Sequence, residues 1–296
     1  MKAWILAARP KTLPAALVPV WIGSMPLLID RTAETGSWFL FLGTLVSCLC
    51  IQIATNLFND AIDFVKGADT EERLGPERVT ASGLLSRKAV VGGALSFCVL
   101  AAIVAIPMVV ERGWLIVVIG TVSLFFSYGY TGGPLPLAYR GFGGLFVILF
   151  FGFVAVLGSH FVQTGEWGNK EMWLLAGQCG LYSAVLIAIN NLRDRDEDEK
   201  TGKRTLAVRF GMKFARLEIA VMGTLASILI IPVGICSGCS ALLSIAFAIF
   251  LAVFHLALSW RVFRTEPSAV YNVLLARAAL QLLSFAVLTS IMFALK

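Results

Sequence analysis

Residues 89–131 read AVVGGALSFCVLAAIVAIPMVVERGWLIVVIGTVSLFFSYGYT, two apolar runs separated only by Glu111, Arg112 and Gly113. Each run has close to the roughly 20 apolar residues that a helix needs to cross the hydrocarbon core of a bilayer. Because only three residues join the runs, the two helices must form a tight antiparallel hairpin. This stretch therefore predicts an all-α protein that spans a membrane.

The rest of the chain extends this pattern. Of its 296 residues, 58% are hydrophobic and 14% are charged, and the mean hydropathy is +0.84. Soluble domains are about 45–50% apolar and about 25% charged, so the composition indicates a polytopic membrane protein in a lipid bilayer. Nine apolar runs are long enough to be predicted as transmembrane helices, at residues 12–29, 38–58, 89–110, 114–131, 142–162, 172–191, 214–234, 240–260 and 272–294.

The positive charges predict the orientation of these nine spans. With a cytoplasmic N-terminus, 20 of the 24 Lys and Arg residues fall in cytoplasmic segments and four fall outside. Short loops rich in Lys and Arg stay in the cytoplasm, so we expect a cytoplasmic N-terminus and an external C-terminus in the cell (inner or cytoplasmic) membrane. The net charge of +6 then reflects topology, and no nucleic-acid partner is expected. The N-terminal stretch is interrupted by Arg9, Pro10 and Lys11 and is not expected to be a cleavable signal peptide.

Two of the predicted cytoplasmic loops are long and acidic. The first continues from the second span as NLFNDAIDFVKGAD (residues 56–69), and the second continues from the sixth span as NNLRDRDEDEK (residues 190–200). On a helix, residues three, four and seven positions apart share one face. This spacing predicts two columns of oxygen ligands, formed by Asn56, Asn59, Asp60 and Asp63 in the first loop and by Asn190, Asn191, Asp194 and Asp198 in the second, with Asp69 following the first column.

Carboxylates that share a helix face repel each other, and a divalent cation relieves that repulsion. Mg²⁺ prefers oxygen ligands and is commonly held by one or two carboxylates together with substrate phosphates, so Mg²⁺ is the expected cofactor. Cationic side chains hold phosphate oxygens directly. We therefore expect a Mg²⁺–diphosphate between the two loops. Its expected metal ligands are Asp60, Asp63, Asp69, Asp194 and Asp198, of which Asp60, Asp63, Asp194 and Asp198 are the expected catalytic residues, and its expected cations are Lys66, Arg73, Arg78, Lys203 and Arg204.

The motifs NDAIDFVKGAD (residues 59–69) and DRDED (residues 194–198) resemble the two aspartate-rich motifs of the UbiA superfamily of intramembrane aromatic prenyltransferases. In that family an NDxxD-type and a DxxxD-type motif lie on cytoplasmic loops after the second and sixth of nine helices. The stretches ARPKTLPAALVPV, NLFNDAIDFVKGADT, SYGYTGGPLPLAYRGFGGLFVILFFG and NNLRDRDEDEKTGKRTLAVRFG are similar to its menaquinone branch, the 1,4-dihydroxy-2-naphthoate polyprenyltransferases.

The resemblance implies a fold and a reaction. Residues 1–296 would form a single UbiA-type domain, a bundle of nine helices around a central cavity. The enzyme would transfer a polyprenyl group from polyprenyl diphosphate to an aromatic acid, 1,4-dihydroxy-2-naphthoate, with loss of CO₂ and diphosphate. Aromatic faces stabilise an allylic cation, and Tyr128, Tyr130 and Tyr139 lie near the predicted site. The acceptor carboxylate needs a cation, for which Arg140, Lys11 and Arg9 are candidates.

Two alternatives remain open from the sequence. The first is another UbiA-type aromatic prenyltransferase, with 4-hydroxybenzoate as acceptor or a phytyl group as donor. The second is a cation-coupled membrane transporter, although transporters bind their substrates near the membrane midplane and these acidic residues lie at one predicted face. The sequence does not indicate the prenyl chain length or the oligomeric state.

Overall fold

The computed structural model describes residues 1–25, 29, 37–68 and 74–295, and every regular element within them is helical. The prediction of an all-α protein is therefore confirmed for these residues. The helices are α1 (Lys2–Ala8), α2 (Pro14–Gly23), α3 (Trp38–Val65), α4 (Arg87–Arg112), α5 (Trp114–Gly129), α6 (Gly143–Thr164), α7 (Lys170–Arg193), α8 (Arg195–Lys200), α9 (Leu206–Cys236), α10 (Ala241–Arg264) and α11 (Tyr271–Ala294), with 3₁₀ turns at Pro10–Thr12 and Leu137–Arg140.

Seven helices in the described part of the chain are long and apolar enough to cross a membrane, namely α3, α4, α6, α7, α9, α10 and α11. They coincide with seven of the nine predicted spans, so the chain is a multi-pass membrane protein. The other two predicted spans contain α2, with 10 residues, and α5, with 16 residues. Both are shorter than the roughly 20 residues that a crossing needs, so helix length does not confirm the count of nine.

Two helix boundaries differ from the prediction for identifiable reasons. Helix α3 was predicted to end near residue 58 but continues to Val65, because the polar residues Asn56, Asp60 and Asp63 are buried on its last turns instead of lying in a loop. Helix α9 begins at Leu206, ahead of the predicted residue 214. Its Gly211 has φ 82°, a non-helical conformation that breaks the helix axis.

Helix α7 lies at the centre of the bundle and packs against α6, α9 and α11. Its approach to α6 is very close, because a Cβ atom on Gly152 would lie 2.5 Å from the carbonyl oxygen of Ala176. Small residues let helix backbones approach one another in this way inside a membrane protein. Residues Ile148–Val154 of α6 adopt a π-helical turn at this contact.

The alternating directions of the helices bring both acidic motifs to one end of the bundle. Helices α3 and α7 end there, and the segments that follow them touch the connection between α5 and α6. The Lys66 ammonium group donates to the carbonyl of Thr131 at 2.8 Å, and the Arg204 amide donates to the carbonyl of Tyr139 at 3.0 Å. We call this the aspartate end. The opposite end, where Gly113 joins α4 to α5, is the hairpin end.

Candidate active site

A cavity of about 290 Å³ opens inside the bundle between α2, α3, α5, α6 and α7. Its walls at the aspartate end include the polar residues Asn56, Asn59 and Asn190, and at the hairpin end they include Thr44 and Met108. Thr44 and Asn59 are fifteen residues apart on α3, so the lining extends for about 22 Å along that helix. The cavity thus reaches from the buried polar cluster deep into the apolar interior.

The first acidic column holds part of the loop between α3 and α4. Asp60 is only 2% exposed, and its two carboxylate oxygens accept hydrogen bonds from the backbone amides of Val79, at 3.2 Å, and Thr80, at 3.0 Å. Each carboxylate oxygen has a further lone pair, so these bonds leave room for a cation ligand. Asp60 therefore fixes the segment that follows the first motif.

Asp63, one turn further along α3, is also buried. Its Oδ1 accepts a 2.8 Å hydrogen bond from the Tyr139 hydroxyl, and its Oδ2 lies 3.7 Å from Nη2 of Arg78. Arg78 is itself buried. The aspartate is therefore compensated by a cation and by a donor from the connection between α5 and α6, as a buried carboxylate requires.

The asparagines beside these carboxylates connect the cavity to the N-terminal segment and to the connection between α5 and α6. Asn56 donates to the carbonyl of Ala8 at 2.9 Å and to the Thr12 hydroxyl at 3.2 Å. Asn59 accepts a hydrogen bond from the hydroxyl of Thr131. Both asparagines line the cavity, so the first column continues from the carboxylates into the cavity wall.

The second acidic column lies at the end of α7 and on α8. Asp194 is buried and paired with Arg193, with Nε of the arginine 2.6 Å from Oδ1. Asp198, 4% exposed, forms an ion pair with Lys203 at 3.1 Å, but its Oδ2 has no hydrogen-bond partner among the residues that the structure describes. Burial raises the pKa of Asp198 to about 6, although the charge of Lys203 opposes the shift.

Tyr139 links the two columns. Besides its bond to Asp63, its ring lies 3.7 Å from the Lys66 ammonium nitrogen and 5.8 Å from that of Lys203, measured to the ring centroid. Burial lowers the pKa of Lys203, but the nearby carboxylates, Asp198 first, outweigh burial and raise the pKa above its usual value. Both lysines therefore supply positive charge between the columns.

A divalent cation fits this set of side chains. Within residues 1–25, 29, 37–68 and 74–295, no three acidic, His or Cys side chains converge closely enough to hold a metal by themselves. The buried Asp198 oxygen without a partner is a hard ligand that the protein does not satisfy. Mg²⁺ commonly takes one or two carboxylates and completes its shell with water and phosphate. The columns can thus hold Mg²⁺ together with a phosphate-bearing ligand.

The structure brings most of the predicted residues to the aspartate end, but not all to the cavity. Tyr130 lines the cavity. Asn191 lines a separate small pocket beside Tyr130. Five predicted binding residues are exposed and lie outside the cavity lining: Lys11, Lys66, Tyr128, Arg140 and Arg204. Two further predicted residues, Asp69 and Arg73, lie outside the described part of the chain.

Two polar residues of this region belong to no predicted site. Arg193 was counted only as a loop cation, yet it is 3% exposed and bonded to Asp194. The sequence signal that could have identified Arg193 as a site residue was its position three residues after Asn190. Asn272, which bonds to Arg193, lies at the start of α11 and far away in sequence, so no local pattern could have associated it with the acidic motifs.

Comparison with known proteins identifies the family. The UbiA prenyltransferase family matches residues 16–291. The chain is 36% identical over 245 residues to the 1,4-dihydroxy-2-naphthoate octaprenyltransferase of Bacillus subtilis (83% of this chain, 76% of the relative). It is 35% identical over 240 residues to the enzyme of the same name from Mycobacterium tuberculosis (79% of this chain, 80% of the relative).

The fold is also that of solved members. A UbiA homologue from Archaeoglobus fulgidus, solved bound to GPP and Mg²⁺, aligns with a TM-score of 0.68 over 99% of each chain at 14% identity. The family match covers most of the present chain, and the sequence relatives exceed 30% identity over most of its length. This chain therefore belongs to the UbiA prenyltransferase family.

Proposed function

We propose that this chain is a Mg²⁺-dependent prenyltransferase that moves a polyprenyl group from polyprenyl diphosphate to 1,4-dihydroxy-2-naphthoate, giving demethylmenaquinol (the reduced form of demethylmenaquinone), CO₂ and diphosphate. The names of the relatives support the acceptor. One observation carries the chemistry: asparagines of the two buried carboxylate columns line the polar mouth of a long apolar cavity, and Lys66 and Lys203 lie beside the Tyr139 ring at the same end of the bundle. That arrangement suits a ligand with an anionic head and a hydrocarbon tail.

We further propose that residues 1–296 form one domain with nine crossings and a cytoplasmic aspartate end. The short helices α2 and α5 complete the alternation that the charge distribution requires, with 20 of 24 Lys and Arg residues on one side. Because Lys and Arg concentrate in cytoplasmic loops, the aspartate end faces the cytoplasm of the cell membrane and the C-terminus faces outward.

The residues at the mouth would bind the diphosphate and stabilise its departure. Asp60, Asp63, Asp194 and Asp198 would hold Mg²⁺, which as a Lewis acid would neutralise the charge that develops on the leaving oxygens. Lys66 and Lys203, whose ammonium nitrogens lie 3.7 and 5.8 Å from the Tyr139 ring centroid, would bind diphosphate oxygens. Fixed positive charge in a site sheltered from water stabilises such a leaving group strongly.

The acceptor binds beside the cleaved bond, at the polar wall of the cavity. Arg9 lines this wall, whereas Lys11 and Arg140 are exposed, so Arg9 is the cation that we assign to the acceptor carboxylate. The C–O bond of the prenyl diphosphate breaks, and the ring carbon that carries the carboxylate forms the new C–C bond. The electrons of the C–CO₂⁻ bond then restore the aromatic ring as CO₂ leaves. No net proton is released, so the site needs no general base.

The prenyl chain occupies the apolar part of the cavity. Phe126, Phe146 and Phe150 line it just below the polar wall, with ring centroids 4.1–5.3 Å apart. Aromatic faces attract cations, so these rings and Tyr130 also surround the allylic carbon as the diphosphate departs. The cavity wall thereby excludes water from a centre that water would otherwise capture.

Purified full-length protein tests the proposal when it is given polyprenyl diphosphate and one of two acceptors. We expect carboxyl-labelled 1,4-dihydroxy-2-naphthoate to release labelled CO₂ in step with prenylated product, and EDTA to abolish both. Product from 4-hydroxybenzoate without CO₂ release would instead identify the related prenyltransferase alternative. Absence of prenyl transfer to either acceptor, with ion-coupled uptake into vesicles, would identify the transporter alternative.

A further inference from the structure

Asn272, at the start of α11, contacts both acidic loops although it lies in neither motif. Its Oδ1 accepts a 2.8 Å hydrogen bond from Nη1 of Arg193, and its Nδ2 donates to the carbonyl of Leu74 at 3.0 Å. A guanidinium group only donates and a carbonyl only accepts, so these two partners fix the orientation of the amide. A side chain must carry both a donor and an acceptor to make this bridge.

The bridge controls Asp194 through Arg193. The guanidinium group contacts the carboxylate at two points, Nε to Oδ1 at 2.6 Å and Nη2 to Oδ2 at 2.7 Å, and Nη2 also donates to Oδ1 of Asn190 at 2.8 Å. With Nη1 bonded to Asn272, every nitrogen of Arg193 has an oxygen partner. The plane of the Asp194 carboxylate is therefore set by Arg193, and Arg193 is held in turn by the last helix.

On its other side the bridge reaches the loop that Asp60 holds. Leu74 lies a few residues before Val79 and Thr80, whose backbone amides donate to Asp60. A continuous path of contacts therefore runs from Asp194 through Arg193 and Asn272 to the loop that follows α3. This path joins the two acidic columns. Tyr139, in the connection between α5 and α6, is a second link between them.

We propose that Asn272 is a positioning residue that holds the two aspartate columns at the separation at which they bind one Mg²⁺–diphosphate. The inference rests on the diphosphate-binding part of the proposed function and not on the identity of the acceptor. Groups that orient metal ligands without touching the metal contribute about 10–100-fold to metal affinity.

Helix α11 does not depend on Asn272 for its packing. Tyr271 donates to the carbonyl of Thr265 at 3.1 Å, Gln281 bonds to His255 at 3.1 Å, and Ser290 accepts from Trp21 at 2.8 Å. These contacts stay in place when the Asn272 side chain changes. A positioning role therefore predicts weaker ligand binding at a nearly unchanged melting temperature, whereas a purely structural role predicts the reverse.

The test uses geranylgeranyl thiolodiphosphate, an analogue that carries a C–S bond in place of the reactive C–O bond. Calorimetry measures its binding to the purified full chain at a series of Mg²⁺ concentrations. Asn272→Leu removes both hydrogen bonds at similar size, and we expect its Kd to rise about 10–100-fold. Asn272→Asp keeps the acceptor for Arg193 but loses the donor to Leu74, and we expect its Kd to rise at least about 10-fold.

Asn169→Leu is the matched control, because Asn169 caps the other end of α7 at the hairpin end. We expect this variant to melt at a lower temperature and to bind the analogue with wild-type affinity. Wild-type affinity in Asn272→Leu or in Asn272→Asp would overturn the positioning role. If the leucine variant does not fold, the affinity of Asn272→Asp decides the outcome. Absence of Mg²⁺-dependent binding in the wild-type protein would instead contradict the proposed function.

Discussion

At the scale of single residues, the site is a set of buried carboxylates that are only partly satisfied by the protein. Asp60, Asp63, Asp194 and Asp198 are each at most 5% exposed. Burying a carboxylate is costly unless it is paired and hydrogen-bonded. Each has a cation or backbone amides nearby, but within the described part of the chain one oxygen of Asp198 has no hydrogen-bond partner. These carboxylates can therefore bind a further ligand.

Asp198 and Asp196 provide a matched test of this view, because they lie two residues apart on the same short helix. The Asp196 side chain is 75% exposed and pairs with Arg195, whereas Asp198 is buried beside Lys203. We expect Asp198→Asn to lower kcat/KM for the prenyl diphosphate by at least about 100-fold, the effect of losing one electrostatic stabiliser. Asp196→Asn should leave initial rates unchanged. Equal losses in the two variants would contradict the role of Asp198.

Tyr139 has two separable contributions, the hydroxyl on Asp63 and the ring beside Lys66. A hydrogen bond to a charged group is worth about 1.5–3 kcal/mol, so Tyr139→Phe should lower kcat/KM by roughly 10–100-fold. Tyr139→Leu should lower it further, because the ring contact is also lost. Tyr128→Phe is the control, since Tyr128 is exposed and outside the cavity lining. A Tyr139→Phe enzyme as active as this control would remove Tyr139 from the site.

At the scale of elements, the close approach of α6 and α7 positions the second acidic column. Gly152 faces the backbone of Ala176 and Gly180, and a Cβ atom on either glycine would approach main-chain atoms within 2.5–2.7 Å. Backbone atoms cannot rotate away as a flexible side chain can. The end of α7, and with it Asp194, is therefore placed by a helix contact that requires glycine on both sides.

Gly152→Ala should destabilise this contact, because overpacking a tight interface costs about 1–3 kcal/mol. We expect a lower melting temperature for the purified protein in detergent. Gly177→Ala, on α7, is the control, since its new Cβ would meet only a ring atom of Phe153 at 3.9 Å. Alanine is favoured over glycine in helices, so this control should melt at or slightly above the wild-type temperature. Identical melting of both variants would show that α6 and α7 can separate without cost.

At the scale of the whole molecule, helix alternation places the two ends of the bundle on opposite sides of the membrane. Cys236 ends α9 at the hairpin end and is exposed as a free thiol. We expect a membrane-impermeant maleimide to label it on intact cells, and Cys236→Ser to remove the signal. In that background, Glu199→Cys at the aspartate end should react only after permeabilisation. The opposite pattern of labelling would invert the proposed topology.

The seven long helices, and the grouping of acidic residues at one end of the bundle, could be predicted from the sequence for a physical reason. A lipid-spanning backbone must satisfy its hydrogen bonds internally, so long apolar runs become helices, and helical spacing then groups Asp60 with Asp63. Helix ends were less predictable, since burial extends α3 over polar residues to Val65. The role of Asn272 could not be predicted from the sequence, because its partners Arg193 and Leu74 are 79 and 198 residues away.

The central claim is that both aspartate columns act on one bound diphosphate, and a double-mutant cycle on kcat/KM for the prenyl diphosphate tests it most directly. Asp63→Asn and Asp198→Asn are measured singly and together at saturating Mg²⁺ and acceptor. Residues that act as one unit give strongly non-additive losses. We expect the double variant to lose little more kcat/KM than the more impaired single variant. A loss equal to the product of the two single losses would show that the columns act independently and would contradict the central claim.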